Sequence, residues 1–136
     1  MVFADDSRGD VLTAKLIAIS LGAVCGALLR YGVACSAIKL FGNSFPWGTL
    51  VANVVGCLLM GLVLGGAGNQ QTEVVRLGFG VGFLGSLTTF STFGGETVGY
   101  LLDGKWGIAT ANVFANVLVC LAAVMLGVII ARRIWN

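Results

Sequence analysis

GFLGSLTTFSTFGGE, residues 82–96, decides how this chain must be read. Hydroxyl residues crowd around Phe90 and Phe93, glycines flank them, and Glu96 closes the stretch. Yet it lies inside a long apolar run, residues 74–102. As one straight helix at about 1.5 Å per residue, that run would reach roughly 43 Å. A hydrocarbon core is only about 30 Å thick. Its centre, GSLTT, is also weak helix sequence, because Gly costs about 1 kcal/mol against Ala and Ser and Thr also lag. Length and composition together predict a helix broken near Gly85–Thr89. A break at membrane depth is tolerated only where protein or a water-filled cavity covers it. Unwound carbonyls in such a break can coordinate a cation such as Na⁺.

The same stretch contains GVGFLG at 80–85, which matches G-x-G-x-x-G. The dinucleotide fingerprint requires a strand before it and a helix after it in a βαβ unit. Nothing around residue 80 supplies that context, so a nucleotide site is not expected.

Working outward, three more apolar runs appear at residues 11–34, 47–67 and 106–130. Each is long enough to span a bilayer as a helix, and none alternates as barrel strands do. The 136 residues are 57% hydrophobic and 10% charged, against about 25% charged in soluble domains. The expectation is an all-α membrane protein of four transmembrane helices, residues 11–133, the third broken near its middle. Residues 1–10, MVFADDSRGD, lack the basic start and apolar core of a signal peptide and read as a disordered polar tail. Trp47, Tyr100, Trp106 and Trp135 fall near span ends, as interfacial aromatics do.

Basic residues divide almost evenly between the two sides. Arg8, Lys15, Arg76, Arg132 and Arg133 lie on the side of the termini, and Lys39, Lys105 and Arg30 on the other. The positive-inside rule therefore leans only slightly to cytoplasmic termini. Three small-residue pairs, Gly22/Gly26, Gly61/Gly65 and Gly78/Gly82, have the spacing that lets helix backbones approach closely in lipid.

Several functions are excluded. With no His, the usual general base and commonest metal ligand are missing. Cys25, Cys35, Cys57 and Cys120 show no C-x-x-C spacing and read as small apolar packing residues rather than zinc ligands or a disulfide framework. There is no basic stripe for nucleic acid. An enzyme is not expected.

The polar groups that remain are neutral and periodic. Thr49 and Asn53 share a face of the second span. Asn112 and Asn116 share a face of the fourth, with Cys120 continuing the line. Polar side chains inside a bilayer face other helices or water; interhelical bonding and a track of donors are both open readings. Phe90 and Phe93 stand three apart, hence on one helix face, with Glu96 a further step along it. Aromatic rings carry a positive edge, against which an anion can rest. Arg30, near the end of the first span, is either a snorkelling anchor or a vestibule group. A lining of N–H, O–H and ring edges with basic groups at its ends suits a small anion.

GALLRY (26–31), PWGTLVANVVG (46–56), GFLGSLTTFSTFGGETV (82–98) and ANVFANVLVCLAAVMLG (111–127) closely resemble the Fluc (CrcB-type) fluoride channel family. The match covers nearly the whole chain after the tail. The resemblance implies a multi-pass inner-membrane protein, an antiparallel, dual-topology homodimer with two parallel pores, through which fluoride leaks passively from the cytoplasm and its toxicity is relieved. It further implies that Phe90 and Phe93 present ring edges to fluoride and that Asn53 donates a hydrogen bond to it. Thr49, Ser91, Thr92, Asn112 and Asn116 would line the pore, with Glu96 and Arg30 near its ends. A structural Na⁺ at the dimer centre would take the backbone carbonyls of Gly85 and Thr88. Where the family's fourth helix usually shows Tyr and then Ser, this chain has Asn112 and Asn116. The alternatives are a proton-coupled small multidrug-type exporter, for which Glu96 is the sole intramembrane carboxylate, and a purely structural membrane protein.

Overall fold

The computed structural model describes residues 6–67 and 72–135. The first five residues of the expected tail lie outside that range. The described residues are helical apart from short turns and one break. α1 runs Asp6–Phe41, α2 Trp47–Leu62 with a π-helical continuation Val63–Ala67. α3 begins at Glu73–Arg76, widens into π-helical Leu77–Leu84 and closes with Gly85–Leu87. α4 is Phe90–Leu102. α5 runs from Trp106–Phe114 through a π-helical turn, Ala115–Val119, to Cys120–Trp135. Among the described residues, four helical stretches are long and apolar enough to cross a membrane, the third being α3 and α4 together, Glu73–Leu102.

α1 differs from its expected bounds at both ends. It starts inside the polar leader and continues past residue 34 to Phe41, because no proline or glycine pair interrupts it. It stops where Gly42 takes a φ of 75° and donates its N–H to the Ile38 carbonyl at 3.0 Å. Only glycine adopts that conformation without strain. Pro46, at the N-cap of α2, then prevents the chain from re-entering the same helix. α4 ends likewise: Gly104 has φ 73°, its N–H bonds to Leu101 and the Lys105 N–H reaches back to Tyr100 at 2.8 Å, the double closure of a Schellman motif.

The third span is broken at Thr88–Thr89. Both residues are extended, at φ −81°, ψ 154° and φ −149°, ψ 114°. Gly85 stays helical, so the break falls at the end of the weak segment rather than across all of it. Thr89 caps the new helix, its Oγ1 accepting from the Thr92 N–H at 3.2 Å, which satisfies one of α4's orphan donors.

Glycines set the packing. A Cβ on Gly26 would collide with the Phe83 carbonyl of α3, one on Gly22 with that of Gly78, and one on Gly82 with the backbone of Ile19. Across the other contact, Gly61 lies against the Val124 carbonyl and Gly127 against that of Leu58. α1 thus packs backbone to backbone on α3, and α2 on α5, as small residues permit in lipid. The interior holds Ala52, Leu84 and Leu87, flanked by Val33, Leu59, Met60 and Phe83. Thr49, Asn53, Thr89, Asn112 and Asn116 are also buried, whereas Leu28, Leu121, Met125 and Ile129 point outward. Polar groups inside and apolar groups outside is the arrangement of a multi-pass membrane protein.

If close backbone approach holds α2 on α5, Gly61→Val forces overpacking and costs about 1–3 kcal/mol. Gly107→Ala, where a Cβ meets nothing within 4 Å, changes stability by no more than about 0.5 kcal/mol. Thermal unfolding of both variants in detergent checks this; equal midpoints would show that the contact is slack.

Candidate functional site

The site is built around the broken backbone. At an interrupted helix the Thr89 N–H and C=O have no intrahelical partner, and hydrocarbon offers none. Asn53 of α2 supplies both. Its Oδ1 accepts from the Thr89 N–H at 2.8 Å, and its Nδ2 donates to the Thr89 carbonyl at 3.3 Å. The amide therefore stands in for a strand partner across the break. The second Nδ2 hydrogen goes to Asn116 Oδ1 at 2.8 Å.

From there a one-way chain of donors continues along α5. Asn116 Nδ2 donates to Asn112 Oδ1 at 2.8 Å, and Asn112 Nδ2 to Thr97 Oγ1 at 2.9 Å. Thr97 Oγ1 donates to the Phe93 carbonyl at 2.7 Å. The chain starts and ends on the third span, one turn apart. Asn112 is fully buried, 0% exposed. Two amides on one α5 face thus pin the segment that carries the phenylalanines.

Two cavities meet at Thr89. The larger, about 490 Å³, is lined by Arg30, Tyr31, Trp47, Thr49, Thr92, Glu96 and Tyr100 among others. In it, Thr49 Oγ1 donates to Glu96 Oε1 at 2.8 Å, while the other carboxylate oxygen, Oε2, is buried without a partner. The smaller cavity, about 230 Å³, is lined by Asn53, Cys57, Thr88, Phe90, Phe93, Asn116 and Cys120 with Val117. The two rings lie 5.4 Å apart, tilted by 59°. Phe93 is buried at 8% exposure; Phe90, at 83%, projects from the surface.

The expected stripe of Phe90, Phe93 and Glu96 is thereby divided. A step of three falls short of a full helical turn, so Glu96 drifts round to Thr49 and the larger cavity, while the rings face Asn53 and Asn116. Asn112 lines neither cavity and acts on Thr97. Ser91 is exposed beside Phe90, its Oγ 3.3 Å from Thr89 Oγ1. Arg30 is not near a helix end: with α1 extended to Phe41 it sits about 16 Å inside, at 1.5 Å per residue. Its side chain lines the larger cavity.

Thr89 and Thr97 escaped the sequence reading. The signals were present: Thr89 is the last residue before α4 and three before Thr92, a capping spacing, and Thr97 is one turn beyond Phe93. Cys57 follows Asn53 by four, as Cys120 follows Asn116.

The carbonyls of Gly85 and Thr88 stand at the C-terminal end of α3. Among the described residues no backbone hydrogen bond reaches either one, because the Thr89 N–H has turned to Asn53. Orphan carbonyls at a helix C-terminus carry the negative end of the dipole. They fit a small hard cation held by oxygens. No group of three or more His, Cys, Asp or Glu gathers for a metal among the described residues, so such an ion would depend on the backbone.

The sequence is similar to those of known proteins. Residues 17–128 match the family model described as CrcB-like protein, Camphor Resistance (CrcB). A protein of Shewanella baltica, "Fluoride-specific ion channel FluC", is 46% identical over 115 residues, covering 83% of this chain and 92% of its own. Proteins of the same description from Geobacter metallireducens and Geobacter sulfurreducens are 44% and 40% identical over 123 and 121 residues, each covering 88% of this chain and 98% of its own. The chain belongs to the CrcB-like family.

The Asn53 bridge yields a prediction. Asn53→Ala leaves the Thr89 N–H and carbonyl unpaired, at about 1–3 kcal/mol for each buried group. The expected result is a lowered unfolding temperature and faster amide exchange confined to residues 88–92. Unchanged exchange there would mean that the break holds without this side chain.

Proposed function

We propose that this protein is a passive fluoride-selective channel. It is a transporter and not an enzyme. The observation that carries the reading is the smaller cavity. Phe90, Phe93, Asn53, Asn116 and Thr88 line it together, with no carboxylate or cation among them. A neutral lining of N–H, O–H and positive ring edges attracts a small strongly hydrated anion without trapping it. Asn53 can turn the Nδ2 hydrogen it gives the Thr89 carbonyl, the longer of its two donations at 3.3 Å, toward a passing fluoride. Arg30 in the larger cavity raises the local anion concentration. Thr49 and Glu96 border the same route, with Thr92 on its wall. The relatives' description as fluoride-specific ion channels supports the choice of ion.

A single chain does not complete such a path. Phe90, Ser91 and Thr92 are exposed, as is Gly85, and a broken backbone beside hydroxyl groups is not left facing lipid. A second copy covers them best. The near-even division of basic residues supports antiparallel insertion, giving a dual-topology homodimer in the inner membrane that lets cytoplasmic fluoride out and relieves its toxicity. The carbonyls of Gly85 and Thr88 would hold a structural Na⁺ at the centre; bound there, the ion balances converging carbonyl dipoles.

Fluoride efflux from proteoliposomes, with chloride as the control, tests the reading. Asn53→Asp and Phe90→Ile are expected to reduce fluoride efflux at least 100-fold, and undiminished flux in both would overturn the site. Glu96→Gln separates the channel from a proton-coupled exporter: the channel keeps conducting fluoride, whereas an exporter loses its only intramembrane carboxylate and its coupling. Replacing Na⁺ with N-methylglucamine during purification is expected to lower the dimer fraction in light scattering, an effect absent if the carbonyls bind no ion.

A further inference from the structure

α2 and α5 run in the same direction, as the second and fourth of four spans, and they pack in strict register. Asn53 bonds Asn116 at 2.8 Å, Gly61 abuts the Val124 carbonyl, and Gly65 lies against Val128. Each pair is separated by the same 63 residues. Cys57 and Cys120 are the missing rung between the first pair and the second. One helical turn beyond the asparagines, both line the smaller cavity with Phe90 and Phe93. Neither forms a disulfide.

We propose that Cys57 and Cys120 form a two-coordinate site for a thiophilic metal ion such as Hg(II), and that an ion held there blocks the path past the phenylalanines. The blocking half rests on the reading of this cavity as the fluoride route. Soft thiolates select soft ions. The chain has no His, and no third Cys, Asp or Glu joins this pair among the described residues, so ions that need four or more protein ligands, such as structural zinc or calcium, are poorly served. Linear two-coordination needs only the pair. Binding releases two protons as two S–H bonds give way to two S–Hg bonds, with no change of oxidation state. The dithiolate complex of a divalent ion is neutral, which matters where a net charge in the membrane is costly. Cys25 is exposed on α1, and Cys35 lies on the same helix, so neither shares this cavity.

The test uses the full-length chain carrying Cys25→Ser and Cys35→Ser, in chloride-free buffer with mercuric nitrate as probe. Thiolate-to-metal ultraviolet absorbance is expected to saturate at one ion per chain, and adding Cys57→Ser or Cys120→Ser to weaken that binding at least 10-fold. A stoichiometry other than one, or a single-thiol variant that binds as tightly as its parent, overturns the site. In proteoliposomes the same ion is expected to slow fluoride efflux at least 10-fold, with recovery on dithiothreitol. A chain carrying Cys57→Ser and Cys120→Ser, compared with its own uninhibited flux, is expected to be insensitive. One-ion, two-thiol binding without block keeps the metal site and overturns the reading of this cavity as the conduction path.

Discussion

A peptide bond that leaves its helix inside a bilayer must find partners within the protein, because the solvent has none. At Thr88–Thr89 the third span makes that departure, and the side chain of Asn53 answers it, accepting from and donating to the same residue. Much else follows from this exchange. The Thr89 N–H, once turned to Asn53, no longer reaches the Gly85 carbonyl. Oxygens at the end of α3 are thereby left for another purpose. The chain restarts as α4 with Thr89 as its cap, and the restart aims Phe93 into the cavity and Phe90 outward.

The asparagines of α5 extend the same logic. A lone buried amide is expensive, but a chain in which each amide donates to the next satisfies every member but the last. Here the last link is Thr97, whose hydroxyl bonds to the Phe93 carbonyl. The rings are consequently held from both sides: by the cap at Thr89 and by the donor chain through Asn116 and Asn112.

Close helix contacts make such networks accurate. Glycines let α1 meet α3 and α2 meet α5 at backbone distance, where a single Cβ would separate them. The register this imposes on α2 and α5 repeats every turn and brings side chains four residues apart on one helix opposite their counterparts on the other. With few large residues in the interior, the fold depends less on bulk burial than on this fit, as is general where lipid competes equally for apolar surface.

Composition and run length alone determined four spanning helices, since no other element satisfies its own backbone across about 30 Å of hydrocarbon. The weakness of GSLTT, the polar faces of α2 and α5 and the three glycine pairs were legible too, because propensity and the helical period are local properties. Four-residue spacing could group Thr49 with Asn53 and Asn112 with Asn116, but could not say what each faced. Only the tertiary structure decided that Asn53 serves the break, that Asn112 acts on Thr97 rather than on a cavity, and that Glu96 parts from the phenylalanines to join Thr49. It also decided that Arg30 lines the larger cavity and that Cys57 and Cys120 share the smaller one. Such pairings depend on the rotation and register of one helix against another, and a register is set by contacts between residues far apart in the chain.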